Sequence, residues 1–405
     1  MYFCVSHMNV LRSFIVRAVP ASLSVSFCLL AALLSSSGCA SAANNVQTVT
    51  LGLVAPLTGE AQILGQDWVR AAKGLIAAWN DASNQNTLRV RLVVYDQSEG
   101  AAVAGRLAAD PTVVGAVGYW QDGLTDEVRV AFRDAGLSVV SLAFPPDQQT
   151  DSPSAMLHFM PTQSEIHRGA GTFVRGNLKT DAVTLVIGPT VQDLARAREF
   201  QEQVARVGVS DVRVQAAPPY VSDYRNLLGR LNDTAPGTVV FVGAAGSSSE
   251  FLSQLKSSEF GQMLRVIFLS NPMPVADKGA ALVPHIEAYW VSGFSGSEAI
   301  DEAEAFVASV REETGRAPHP STLAAYDGVK LFLNGLEKMM ATQKAPSRVG
   351  AQRFLSQTTA YQGLAQRYDF DGRGRLLNPS VYLRRLPGDM FTDQVEVKVA
   401  VPSVR

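Results

Sequence analysis

The sequence predicts an α/β protein of two doubly wound lobes with parallel sheets, and three observations carry that expectation. From residue 48 onward, short apolar runs alternate with segments of helical period. The runs are continuously apolar, as strands covered on both faces require, and their alternation with helices implies parallel pairing. The pattern stops at 144-FPPDQQTDSPSAMLHFMPTQS-164 and restarts over a similar length, so two lobes are expected. At 405 residues, 47% of them hydrophobic, the chain can build two domain-sized cores.

In the first run the strands are 48-TVTLGLV-54, 88-LRVRLVVY-95, 112-TVVGAV-117 and 137-LSVVSLA-143. The first three lead into the helical patterns 67-DWVRAAKGLIAAWN-80, 101-AAVAGRLAA-109 and 125-TDEVRVAFRDA-135. In the second run the strands 182-AVTLVIG-188, 211-DVRVQAA-217, 238-TVVFVG-243 and 264-LRVIFLS-270 alternate with helices 192-QDLARAREFQEQVARV-207, 223-DYRNLLGRLN-232 and 250-EFLSQLKS-257. A further strand, 288-AYWVSGF-294, precedes helices 300-IDEAEAFVASVREETG-315 and 321-STLAAYDGVKLFLNGLEKMM-340. The tail reads as strand, turn and strand, with Asp371-Gly372 and Pro387-Gly388 as turn signals.

Residues 1–42 stand apart. They hold Arg12 and Arg17, no acid, the apolar run 20-PASLSVSFCLLAALL-34 and the small residues 35-SSSGCASA-42. This is the make-up of an export signal, and the apolar run is shorter than the ~20 residues a spanning helix needs. Met8 is a second candidate start. Two exits compete: cleavage after Ala42, or a lipoprotein-like box Ser37-Gly38-Cys39 that would leave Cys39 lipidated. The second match is imperfect, with Ser36 where a leucine usually stands. All three cysteines (Cys4, Cys28, Cys39) fall in this leader, so no disulfide or thiolate metal site is expected in the exported body.

Charged residues make up 18% of the chain and its net charge is -2, which argues against a nucleic-acid partner. His7, His158, His167, His285 and His319 show no zinc spacing, and Asp369 and Asp371 lack the further ligands of a metal loop. No GxSxG, GxxxxGK[ST] or GxGxxG occurs; the nearest segment is 243-GAAGSSSEF-251, a Gly/Ser loop entering a helix. That loop could grip an anion, cap the helix through Ser249 or a neighbour, or do both. No enzyme, metal or cofactor is therefore expected, and no catalytic residue.

Doubly wound lobes place a ligand crevice at the carboxyl ends of their strands. The loop 118-GYWQDGLTDEV-128 leaves such an end, with Trp120 and Asp122 positioned to cover and bind a small solute. The bland alternative makes Asp122 or Thr125 a helix cap and Trp120 core.

The opening stretch 51-LGLVAPLTGEAQILGQDWVRAAKGLIAAWN-80 resembles the start of the type I periplasmic binding proteins, specifically the Leu/Ile/Val receptors of ABC importers. Weaker likenesses follow in order at 93-VVYDQSEG-100, 136-GLSVVSLAF-144, 159-FMPTQSE-165, 325-AYDGVKLF-332 and 370-FDGRGRLLNPSVYL-383. The resemblance spans about residues 47–393. It implies two Rossmann-like lobes joined by a three-segment hinge, with crossovers near 141–160, 288–300 and 361–368. The first lobe would be 47–155 plus 294–360, and the second 156–293 plus 361–395.

It also implies an exported protein, periplasmic or lipid-anchored at the envelope, that hands a small solute to an ABC permease in the inner membrane. A sensor of the same fold signalling to a membrane partner, or a scaffold without ligand, would share these features. By position, the family's ligand contacts fall on Gln121, Asp122 and Gly123; on Ala143 and Phe144; near Gln192; near Ser247, Ser248 and Asn271; and on Tyr326, which in a helix is also explained by packing. Gln62, Ile63 and Leu64 would form the first lobe's lip. The serine and threonine hydroxyls that usually hold an amino acid's carboxylate are missing at 121–123 and 143–144, and no acid replaces the ammonium partner unless Asp122 or Glu250 turns inward. A small polar solute is expected, an amino acid or a related amide or carboxylate, rather than a standard branched-chain amino acid.

Overall fold

Both runs of strands form sheets with one winding order, as a computed structural model shows. It describes residues 46–82, 88–147, 156–218, 223–270, 285–295, 301–342, 344–386 and 396–403. The leader with Cys39, Asn271, the Pro387-Gly388 turn, and parts of the first two expected crossovers lie outside the described residues. Among the described residues, no helix is long and apolar enough to cross a membrane.

The first sheet contains β1 (Gln47–Ala55), β2 (Leu88–Asp96), β3 (Val113–Gln121), β4 (Ser138–Ala143) and β5 (Met156–His158). Its order is β2-β1-β3-β4-β5, all parallel. The second sheet has five parallel strands: β6 (Ala182–Ile187), β7 (Asp211–Ala216), β8 (Thr238–Val242), β9 (Leu264–Phe268) and β10 (Ile286–Ser292). They run in the order β10-β9-β8-β6-β7, the same winding as the first sheet. The two antiparallel strands of the tail, β13 (Ser380–Arg385) and β14 (Glu396–Ala400), extend the β10 edge. A small hairpin, β11 (Ala360–Gln362) and β12 (Arg367–Asp369), stands apart from both sheets.

The helices are α1 (Gln62–Ala82), α2 (Ala102–Ala109), α3 (Asp126–Asp134), α4 (Gln163–Gly176), α5 (Val191–Ala205), α6 (Arg225–Thr234), α7 (Ala245–Lys256), α8 (Asp301–Thr314), α9 (Pro320–Ala341) and α10 (Arg348–Ser356). Two of them carry no clear signal in the sequence. In α4 the glycines are there for room: a Cβ at Gly169 would collide with Val381, and one at Gly171 would press on Val207. Close approach to the sheet at Gly169 and to the end of α5 at Gly171 thus costs the segment its intrinsic helix propensity. The helix is started instead by a capping box, in which Thr162 and Glu165 each satisfy the other's backbone N–H. The other, α10, is short and contains Gly350.

The chain leaves the first sheet after β5, three residues beyond the expected lobe boundary, returns after β10 to add α8, α9 and α10, and leaves again before β13. A three-residue strand at a sheet edge is too short to show as a hydrophobic pattern. The returning segments interlock. Ser295 N–H donates to Gln366 Oε1 (3.4 Å), and a Cβ on Gly293 would press on Pro161 and Met160. Asp327 of α9 is wholly buried and accepts hydrogen bonds from Leu364 N (2.6 Å), Ala365 N (2.9 Å) and the Tyr368 hydroxyl (2.9 Å). Phe159 stacks on Tyr368 with ring centres 4.0 Å apart.

Candidate functional site

A cavity of about 400 Å3 opens at the carboxyl ends of both sheets, beside the switch points where β1 meets β3 and β6 meets β8. The first sheet contributes Pro56, Thr58, Glu60, Ala61 and Leu64 after β1, Gln97 after β2, and Trp120, Gln121, Asp122 and Gly123 at the end of β3. Gln192 and Arg196 of α5, Ala244 and Ala245 at the start of α7, and Ser270 face them from the second. His319, the cap residue of α9, completes the lining.

The β3 loop reaches the cavity through an unusual backbone. Tyr119 and Gln121 adopt positive φ (58° and 49°), and the register with β4 slips between Gly118 and Trp120. Two left-handed non-glycine residues around one side chain are costly, and such strain collects at ligand sites, where it re-aims a residue. Gly118 has φ 149°, and a Cβ there would run into the Val54 carbonyl oxygen. Gln97 fixes the loop by accepting from Trp120 N–H (2.8 Å), and Gln121 O accepts from Phe144 N–H (3.0 Å). Trp120 is 8% exposed, edge-on to Trp68 (6.0 Å) and His319 (5.6 Å) and stacked on Phe294 (6.3 Å). It is both core and cavity wall.

His319 is neutral near pH 7, because burial, reinforced by Arg384 and Arg316, lowers it to about 3. Its Nδ1 accepts from Ser321 N–H (3.1 Å), so Nε2 carries the hydrogen. Ser321 Oγ also accepts from Trp68 Nε1 (3.2 Å), which ties α1 to the start of α9.

Two polar contacts cross the cavity. Glu60 accepts from the Gly246 N–H (2.9 Å) in the first turn of α7, and Asp122 pairs with Arg196. With Asp122 57% and Arg196 25% exposed, this ion pair adds at most about 1 kcal/mol. Thr125, not Asp122, caps α3, accepting from Val128 N–H at 3.4 Å.

Of the residues expected from the sequence, Leu64, Trp120, Gln121, Asp122, Gly123 and Gln192 come together around this cavity. Gln62 and Ile63 begin α1 and face solvent, and Ala143 and Phe144 lie behind the β3 loop. Ser247 and Ser248 are buried inside α7, which starts at Ala245. The segment expected as a Gly/Ser loop is therefore helical. Ser249 does not cap it but donates back to Ala245 O (2.9 Å), and the cap position is Ala244. The Ser248 hydroxyl has no partner among the described residues. Tyr326 packs on Phe306 (5.1 Å) and does not line the cavity, and Asn271 follows the lining residue Ser270 but lies outside the described residues.

The cavity also takes in Glu60, Gln97, Arg196 and His319, which the sequence does not single out as ligand contacts. Arg196 carried a usable signal, since it lies one helical turn beyond Gln192 and therefore on the same face. The imidazole carried none, because its place depends on the long-range packing of α9.

Comparison with known proteins agrees with this architecture. A family model described as periplasmic binding protein matches residues 48–389. The chain is 21% identical over 235 residues to a protein named amino acid binding protein from Pseudomonas aeruginosa; the match covers 57% of this chain and 62% of that one. The chain thus spans less than two thirds of that relative's length.

The branched-chain amino acid transporter substrate-binding protein LivJ from Streptococcus pneumoniae, solved with isoleucine, superposes with a TM-score of 0.69 at 18% identity. The superposition covers 87% of this chain and 100% of LivJ. An ABC transporter solute-binding protein from R. palustris in complex with benzoate gives 0.67 at 14% identity, covering 88% and 98%. At such identities the structures establish the shared fold. The family match runs through nearly all of the two-sheet body, so the chain belongs to the periplasmic binding protein family.

Proposed function

We propose that the protein is the exported substrate-binding component of an ABC importer, capturing a small polar solute between two lobes and passing it unchanged to a permease in the inner membrane. The observation that carries this reading is the cavity between the carboxyl ends of two like-wound sheets, lined from both sides, in a chain of this family. Its lining is mixed. Leu64, Trp120 and Pro56 supply apolar surface, while Thr58, Gln97, Gln121, Gln192 and Ser270 supply hydrogen bonds, as small-molecule sites require. The lobes are the two sheets with their helices, the first including β5 and the 364–370 stretch, and they close about the three crossovers.

In this proposal the solute touches Leu64, Trp120, Gln121, Asp122, Gly123 and Gln192. Gln62 and Ile63 form the rim, Ala143 and Phe144 support the loop, and Ser247 and Ser248 back the second lobe's wall from inside α7. Residues 1–42 act as the export leader, processed after Ala42 or at a lipidated Cys39. Intact-mass measurement of the protein recovered from the cell envelope separates the two.

Thermal-shift screening against amino acids, amides and carboxylates tests the function. A ligand at one hundred times its Kd stabilises the protein by about 2.7 kcal/mol. No stabilisation by any compound of these classes would refute solute capture.

A further inference from the structure

The segment 144–147, which follows β4, touches both lobes. Phe144 packs against the cores of both sheets, and Asp147 reaches the helices α4 and α5 of the second lobe. There one hydroxyl stands between two carboxyl groups. Ser164 Oγ, 4% exposed, lies 2.5 Å from Asp147 Oδ2 and 3.0 Å from Glu199 Oε1. A serine hydroxyl has a single hydrogen to give. With both acids ionised, one carboxylate would face the lone pairs of Oγ with no hydrogen between them. One added proton completes the chain. The 2.5 Å spacing is that of an O–H donating to a carboxylate, so Ser164 donates to Asp147, and a protonated Glu199 donates to Ser164 Oγ.

We propose that this is a proton-operated latch between the lobes: with Glu199 protonated, the 144–147 segment is fastened to α4 and α5, and ionisation of Glu199 releases it. The titratable and charged groups of this corner are Asp147 on the segment, Asp122 on the β3 loop, His167 and Arg168 on α4, and Arg196, Glu199 and Glu202 on α5. Arg196 is engaged by Asp122, and Arg168 donates to Gln203 Oε1 (2.8 Å). His167, with Nδ1 3.6 Å from Glu199 Oε1, stays neutral because burial lowers it to about 3. Burial, with repulsion from Asp147, Asp122 and Glu202, holds Glu199 above the ordinary 4.5 against the pull of Ser164. The latch is therefore fastened at low pH and lost as pH rises through that raised value. A solute between the lobes is gripped more firmly in acid than in alkali. The latch rests on the lobes closing about the crossovers and holds for a solute of any chemistry.

The test is the distance between spin labels on the two lobes, measured by pulsed electron paramagnetic resonance without added solute. Gly74→Cys on α1 and Gly229→Cys on α6 provide the sites, since both glycines have open space around them. Cys4, Cys28 and Cys39 are replaced by serine so that no other thiol is labelled. From about pH 4.5 to about pH 8 the ratio of the latched to the released distance should fall by about tenfold or more. Glu199→Gln, which stays neutral and can still donate to Ser164, should keep the latched distance throughout. Asp147→Ala and Ser164→Ala should each show the released distance at every pH. They break the latch from two sides, and unchanged melting temperatures show that the fold is intact.

Distances that do not change with pH in the labelled parent overturn the latch, and so does the parent's pH response persisting in Glu199→Gln. Thermal-shift screening for solutes at a single pH does not depend on it, so solute capture stands or falls separately.

Discussion

Asp327 offers the sharpest test of how the returning segments are held. Its carboxylate is buried in α9 and accepts from three donors of the 364–368 stretch, two of them backbone N–H groups. Asp327→Ala leaves all three without a partner, at about 1–3 kcal/mol each, and relieves the cost of burying a carboxyl group. The net loss should be about 3–5 kcal/mol, a large part of the 5–15 kcal/mol typical of a folded domain. Urea unfolding followed by tryptophan fluorescence measures it. A loss below about 1 kcal/mol would show that the three bonds do not hold the crossover.

Burial raises the Asp327 carboxyl to about 7 from 3.8, against the pull of the Ala365, Leu364 and Tyr368 donors. Between those values the folded protein binds more protons than the unfolded chain. The group's contribution is therefore complete at low pH and is lost as pH rises through about 7, with a limiting slope of about 1.4 kcal/mol per pH unit. Asp327→Asn cannot titrate there. The stability difference between the two proteins should shift steadily from about pH 4 to 8. A constant difference across that range refutes the linkage.

Three further outcomes are expected. Burial lowers His158, His167 and His319 to about 3 from 6.5, so their contribution is complete above 6.5 and is lost as pH falls toward 3; circular dichroism should show acid unfolding in that window, less steep in His319→Gln. Gly118→Ala should cost about 2 kcal/mol or more because of its φ of 149° and the Val54 carbonyl, whereas Gly74→Ala, in open space on α1, should gain up to about 1 kcal/mol; similar melting shifts in the two would refute the backbone argument. Trp120→Ala should lose about 3–5 kcal/mol from its packing on Trp68, Phe294 and His319 and should weaken solute binding, as should Asp122→Ala. Unaltered affinity in both variants, measured by calorimetry, would remove the β3 loop from the site.

Much of this architecture follows from the amino-acid order alone. Continuous apolar runs such as 48-TVTLGLV-54 and 238-TVVFVG-243 can be stable only as strands covered on both faces, and their alternation with helices leaves little choice but parallel winding. The restart after residue 164 is a local feature of composition, and so is the loop that carries Trp120 and Asp122. Tertiary structure decided what depends on partners far along the chain. Gly169 looks like a helix breaker until Val381 arrives against it, and Ser247 looks like a loop residue until α7 forms from Ala245. Glu60 and Gly246 are 186 residues apart, Asp122 and Arg196 are 74 apart, and His319 enters the cavity wall only because α9 packs beside α1. Periodicity records which face of an element avoids water, a short-range property. The balance of charge around a cavity is set by which elements meet there, and no local pattern encodes it.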